Sequence, residues 1–198
     1  MSKGEVSQEK ILEAAFGLYV AQGYHGTSMR QIAEQAGLAP ASLYNHFPSK
    51  EEIFYQLVLQ HHPFRKILPI LESANGGDAE AMIRDVASRV YEVMRTRKEL
   101  LHLLFIEMVE FDGSHLGEIF RMGSPRIFAF VGKLQEKQGS LRPVSSADIL
   151  LSIMGLVMSQ WMLETVFLKN IDLPGTENHF EAALDIFLHG ILAAEAEA

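Results

Sequence analysis

Along almost the whole chain, apolar residues recur at intervals of three and four, and β-branched alternation bounded by turn residues is absent. Such a pattern confines the chain to packed helices, so the expected fold class is all-α. The signals for ends and starts are explicit. A first helix is expected from an N-cap at Ser7 to Gln22, with Ile11, Leu12, Ala15, Leu18 and Tyr19 on one face and Gly23 as the stop. A second begins at Thr27 or Ser28, where Ser28 with Gln31 three residues on forms a capping box, and ends at Gly37. The third runs from Pro40 to about Phe47, and Pro48 forbids its continuation. The fourth, capped by Ser49 with Glu52, turns Ile53, Phe54, Leu57 and Val58 inward and reaches about His62.

Further helices are expected near Phe64–Ser73, Asp78–Arg97, Glu99–Phe111, Ser114–Arg121, Ser124–Gln138, Ser146–Leu168 and Glu177–Leu192. The break Asn75-Gly76-Gly77 reads as a permissive hinge. The natural division is a head over 1–60 and a larger helical body over 61–198. Two short helices joined by Gly37-Leu38-Ala39 form a helix-turn-helix, a corner that many helical proteins contain.

Charge and composition narrow the function classes. The formal charge is −8, and the head alone carries Lys3, Lys10, Arg30 and Lys50 against Glu5, Glu9, Glu13, Glu34, Glu51 and Glu52. Phosphate neutralisation supplies non-specific affinity, so this chain is no indiscriminate nucleic-acid coat; any DNA contact depends on position. With no cysteines, disulfides, thiolate metal sites and cysteine nucleophiles are excluded. The start has no leader-like apolar run, and Ile149–Leu168 carries Ser152, Ser159, Gln160 and Glu164, so that segment reads as an interior or interface helix, with no membrane role, in a cytoplasmic protein.

The run from Gly23 through Thr27-Ser28-Met29-Arg30-Gln31-Ile32-Ala33 to Gly37, followed by Ala41-Ser42-Leu43-Tyr44-Asn45-His46-Phe47-Pro48-Ser49-Lys50, is far more specific than the corner alone. It resembles the DNA-binding domain of TetR-family transcriptional repressors over about residues 7–60. The resemblance implies a three-helix head whose third helix reads base edges through Pro40, Ala41, Ser42, Asn45 and His46. It implies phosphate contacts from Tyr44, Lys50 and Thr27 or Ser28, with Arg30 and Gln31 at the groove edge. Two departures stand out: Ala39 replaces the usual Ser or Thr cap, and Pro40-Ala41 replaces a common Lys-Gly, removing one phosphate-seeking charge.

By the same resemblance the body is a ligand-binding and dimerisation domain. An apolar, Met-rich set offers the pocket for a mainly hydrophobic small-molecule inducer: Phe64, Met82, Val86, Phe105, Met108, Val109, Phe120, Met122, Phe128, Met154, Met158 and Trp161. His61, His102, Glu107, His115 and Gln160 are candidate polar anchors; each is also readable as a hydrogen-bonded core residue. The homodimer is expected to form a four-helix bundle through Ile149, Ile153, Leu156, Val157, Phe180, Leu184, Phe187 and Ile191. No cofactor and no metal are expected; His61 and His62 diverge on a helix. The expected function is a repressor that binds a palindromic operator and is released by its inducer. An enzyme is disfavoured because nucleophile elbow, phosphate-cradling loop and HExxH motif are missing. A protein-binding module that kept the head fold is the other rival.

Overall fold

The computed structural model describes residues 3–137, 144–171, 174–175 and 178–191, and among them every regular element is helical. The helices are α1 (Lys3–Gln22), α2 (Met29–Gln35), α3 (Pro40–Tyr44), α4 (Lys50–His61), α5 (Phe64–Glu72), α6 (Ala79–Arg95), α7 (Lys98–Glu110), α8 (Ser114–Gln135), α9 (Ser146–Met162) and α10 (His179–Ile191). A π-helical turn, Leu163–Phe167, and a 3₁₀ turn, Leu168–Asn170, prolong α9. The chain forms two compact units: Met1–His62 with Glu99–Ile119, and Pro63–Lys98 with Phe120–Ala198.

In the first unit α1 packs on α2 and α4, and α2 on α3. Its core is Ile11, Ala15, Tyr19, Ile32, Ala33, Leu43, Phe47, Ile53, Phe54, Leu57 and Val58, joined by Leu100, Leu103 and Ile119. Fully burying a side chain such as Phe54 contributes about 1.5–3 kcal/mol. In the second unit α6 packs on α5, α9 and α10, and α9 on α10. Arg84 donates to Asp185 at 2.7 Å and Ser88 to Glu181 at 2.9 Å, fixing α6 antiparallel to α10.

Several boundaries differ from those read in the sequence. Ser7 is no N-cap, because α1 already runs from Lys3, with Glu5 favourably placed in its first turn. α3 stops at Tyr44, and His46 donates back to Leu43 in a tighter turn, since Pro48 drives Phe47 out of helical geometry. The two helices expected on either side of Met122 are one, α8, with Pro125 inside. Proline removes the N–H that Arg121 would receive, and the Ser124 hydroxyl donates to that carbonyl at 3.0 Å instead. Asn75-Gly76-Gly77 is held: Lys137 donates to Gly76 O at 2.6 Å and Lys133 to Glu72 O at 2.8 Å. A Cβ at Gly76 would lie 2.8 Å from Met82 N, so glycine is there for space. The ends expected at Gln138, Glu177 and Leu192 lie outside the described residues.

Candidate nucleic-acid interface

The corner between α2 and α3 is built from its end groups. Ser28 Oγ accepts from Gln31 N at 3.3 Å while Gln31 Oε1 accepts from Ser28 N at 2.8 Å, completing the expected capping box. At the other end Gly37 adopts φ +70°, and Leu38 N–H donates to Ala33 O while Gly37 N–H donates to Glu34 O. This is a Schellman closure, which needs a residue free to take positive φ. Leu38 is half-buried in the angle, and Ile32, Ala33 and Leu43 are fully buried beneath it. Ala39 gives α3 no side-chain cap, but Pro40 at its first turn presets the dihedral.

With Leu43 turned inward, the outer side of α3 carries Pro40, Ala41, Tyr44 and Asn45 exposed, and Ser42 and His46 half-buried. Tyr44 is 55% exposed despite its size, an apolar ring left in solvent beside a small-residue helix start. Arg30 and Gln31 are exposed on α2. These residues all belong to the first unit.

Three other expected contacts are already engaged inside the protein. Thr27 is buried, and its hydroxyl donates to Gly23 O at 2.9 Å. Ser28 Oγ donates to Gln31 Oε1 at 2.8 Å. Lys50 Nζ donates to Tyr24 O at 2.7 Å and Thr27 O at 2.8 Å, and sits 4.0 Å over the Tyr24 ring. Burial draws the Lys50 ammonium below its ordinary pKa, a shift opposed by the charge of Glu110. Lys50 therefore ties the α1–α2 turn to α4, with at most one donor left for a phosphate.

Sequence spacing gave no sign of what stands behind that turn. Tyr24 packs on Tyr19, Phe54 and Phe111 at ring distances of 5.4, 5.7 and 5.1 Å, and Phe54 stacks on Phe111 at 4.9 Å. His25 pairs with Glu110. Glu107, fully buried, accepts from the main chain and faces the ring of His115, so two of the candidate anchors satisfy each other. The aromatic seat thus fixes the turn preceding α2 from the α7–α8 corner of the same unit.

The apolar set offered for a ligand is divided. Met82, Val86 and Trp161 are buried in the second unit, where Phe64, Phe120 and Met158 are half-buried and Met122, Phe128 and Met154 exposed. Phe105, Met108 and Val109 belong to the first unit and are exposed on α7, while His61 stacks on Phe16 at 5.1 Å. The expected dimer contacts are divided too. Ile149, Ile153, Val157, Phe180 and Leu184 are buried within this one chain and form its own core; Leu156 and Phe187 are half-buried. The side chain of Ile191 lies outside the described residues. The free faces of α9 and α10 carry Leu151 and Ile186, which are 64% and 75% exposed.

Residues 11–57, the segment that builds this corner, match the family model of bacterial regulatory proteins of the TetR family. The head of the chain is thus a TetR-family domain. The chain is 41% identical over 76 residues to the HTH-type transcriptional regulator LmrA of Bacillus subtilis, covering 37% of this chain and 40% of that one. It is 34% identical over 96 residues to the uncharacterized HTH-type regulator YdgC of the same organism, covering 48% and 47%. The chain spans about half the length of the curated relatives it matches. Its fold is that of NalD, the secondary repressor of the MexAB-OprM multidrug efflux pump in Pseudomonas aeruginosa, at TM-score 0.69 and 20% identity, covering 98% of this chain and 100% of that one. A TetR-family regulator from Shewanella gives TM-score 0.67 at 21% identity over 95% and 99%. These named relatives and neighbours are transcription regulators and not enzymes.

Proposed function

We propose that this TetR-family protein is a cytoplasmic transcriptional repressor that binds a palindromic operator as a homodimer and is released by a mainly hydrophobic small molecule. The observation that carries the reading is the exposed face of α3: Pro40, Ala41, Tyr44 and Asn45 stand in solvent beside an α2 that is capped at both ends. Asn45 offers an amide to base edges, Tyr44 meets a phosphate and Arg30 lies at the groove edge, while Lys50 acts indirectly by holding the turn before α2. Repression requires only occupancy of the site.

Two copies would supply two heads, and matching them to successive major grooves sets the palindrome. A second copy would cover Leu151, Met154 and Ile186. This reading accounts for Ala147–Asn170, which is long and apolar enough to cross a membrane yet has only 22% of its window buried in one chain. Release follows if the ligand binds a head spacing unsuited to DNA more tightly than the matching one, because equal affinity shifts nothing. The matching head 1–60 and body 61–198 are the functional division we propose.

Selection of DNA from a random pool by the purified protein, together with its mass in solution, tests this. A dimer enriching an inverted repeat is expected; a folded, ligand-free protein that enriches no sequence at any salt concentration overturns it in favour of a protein-interaction module.

A further inference from the structure

Ile149, Ile153, Val157 and Trp161 follow one another at four-residue spacing on α9, and all four are buried. This stripe belongs to the core that α9 forms with α6 and α10, to which α6 contributes Met82, Val86 and Tyr91. Trp161 is 0% exposed, and its indole Nε1 has no hydrogen-bond partner among the described residues. A buried N–H without an acceptor is rare in native proteins and calls for a specific explanation.

The helix changes form immediately beyond it. Leu163–Phe167 is a π-helical turn, a widening that accompanies functional sites more often than ordinary helix does. The wide turn carries Glu164, whose carboxylate accepts from Tyr91 Oη at 2.7 Å and from Arg95 Nε at 3.0 Å. Tyr91 Oη is also 3.0 Å from His179 Nε2, and its ring stacks on Phe180 at 3.9 Å. The polar groups around the turn are thus paired with one another, and the indole one helical turn earlier is left with an unused donor.

We propose that Trp161 Nε1–H is the polar anchor of an effector site in the second unit, and that its ligand is an apolar molecule bearing one neutral hydrogen-bond acceptor such as a carbonyl oxygen. The inference rests on the reading that this chain binds a hydrophobic effector. Indole only donates, so the ligand must supply an acceptor. Glu164 lies one turn away as an anion already held by Tyr91 and Arg95, so a second negative charge beside it is disfavoured and the acceptor is neutral. The core that α9 shares with α6 is apolar, with Met82 and Val86 buried on α6 and Met158 half-buried one turn before Trp161, and thioether chains adjust to ligand shape.

Trp161 is the chain's single tryptophan, so its emission reports directly on this site. The test titrates the full chain with methyl ketones from 2-heptanone to 2-tridecanone and with 2-methyl-1-alkenes of equal length, which replace the carbonyl oxygen by a methylidene group. The expected result is a changed Trp161 emission and about tenfold tighter binding of the ketones, the worth of one hydrogen bond. Trp161→Phe, followed by calorimetry, is expected to lower ketone affinity to that of the alkenes. Equal affinity of the two series, ketone binding without an emission change, or an undiminished ketone preference in Trp161→Phe overturns the anchor and leaves the hydrophobic-effector reading standing. Binding of neither series also overturns the anchor, while the hydrophobic-effector and DNA-binding readings are judged separately, the latter by sequence selection.

Discussion

His115 meets the carboxylate of Glu107 twice, its main-chain N–H donating to Oε1 at 2.8 Å and its ring Nδ1 lying 2.8 Å from Oε2. Glu107 is fully buried, and the same imidazole packs against Phe54, Tyr55 and Phe111. The pair closes the α7–α8 corner, where Asp112 and Gly113 both take positive φ.

Removing one member leaves the other buried and under-satisfied. His115→Ala is expected to cost about 3 kcal/mol in urea unfolding followed by helical circular dichroism. Glu107→Gln combined with His115→Phe is expected to recover part of that, because the amide oxygen still accepts from the main-chain N–H of residue 115 while no carboxylate is left buried without the imidazole. A loss below about 1 kcal/mol for His115→Ala would contradict the assignment.

Lys50 is expected to act on DNA through shape. Lys50→Met frees the carbonyls of Tyr24 and Thr27 and loosens the turn that precedes α2. Operator affinity is expected to fall about tenfold while the slope of log affinity against log salt stays unchanged. A true phosphate clamp would lower that slope by about 0.9 instead.

His62 ties stability to pH. Burial lowers its pKa from 6.5 to about 4, so the folded state holds the neutral ring and the unfolded chain binds the extra proton between those values. The contribution is therefore present above pH 6.5 and is lost progressively as pH falls towards 4. From pH 7 to 5.5 the loss is about 1 kcal/mol. Denaturant midpoints of the native chain and His62→Gln, compared across that range, are expected to converge as pH falls; parallel curves would contradict this.

Ile186→Glu places a charge on an exposed face of α10 and is expected to halve the mass in solution without altering helical content. Leu184→Ala, two residues away but 0% exposed, is expected to lower stability by about 2–5 kcal/mol instead. A native chain that is already monomeric, or an Ile186→Glu variant of unchanged mass, would count against the α9–α10 interface.

The contrast between Ile186 and Leu184 marks where sequence reading stops. α9 is apolar on most sides, so its periodicity announces a buried helix without saying which side meets its own chain and which meets a second copy. The head is more legible because its signals are local: Ser28 with Gln31, Gly37 and Pro40 each act within one turn of themselves. Lys50 could not be read in the same way, since its acceptors lie 23 and 26 residues earlier. The break expected at Met122-Gly123 is absent, and within that continuous helix a hydroxyl one residue before Pro125 takes over the carbonyl that proline releases. The π turn after Trp161 carries no marker in composition at all.

The exposed face of α3 is expected to read DNA. Tyr44 is 55% exposed and Asn45 lies beside it in solvent, so Tyr44→Ala with Asn45→Ala is expected to leave the unfolding midpoint within about 0.5 kcal/mol of the native protein. The decisive measurement is random-pool selection run in parallel with the native chain and this variant. An inverted repeat enriched by the native dimer and lost by the equally folded variant is the predicted result. The same repeat enriched by both, or by neither, would contradict the claim.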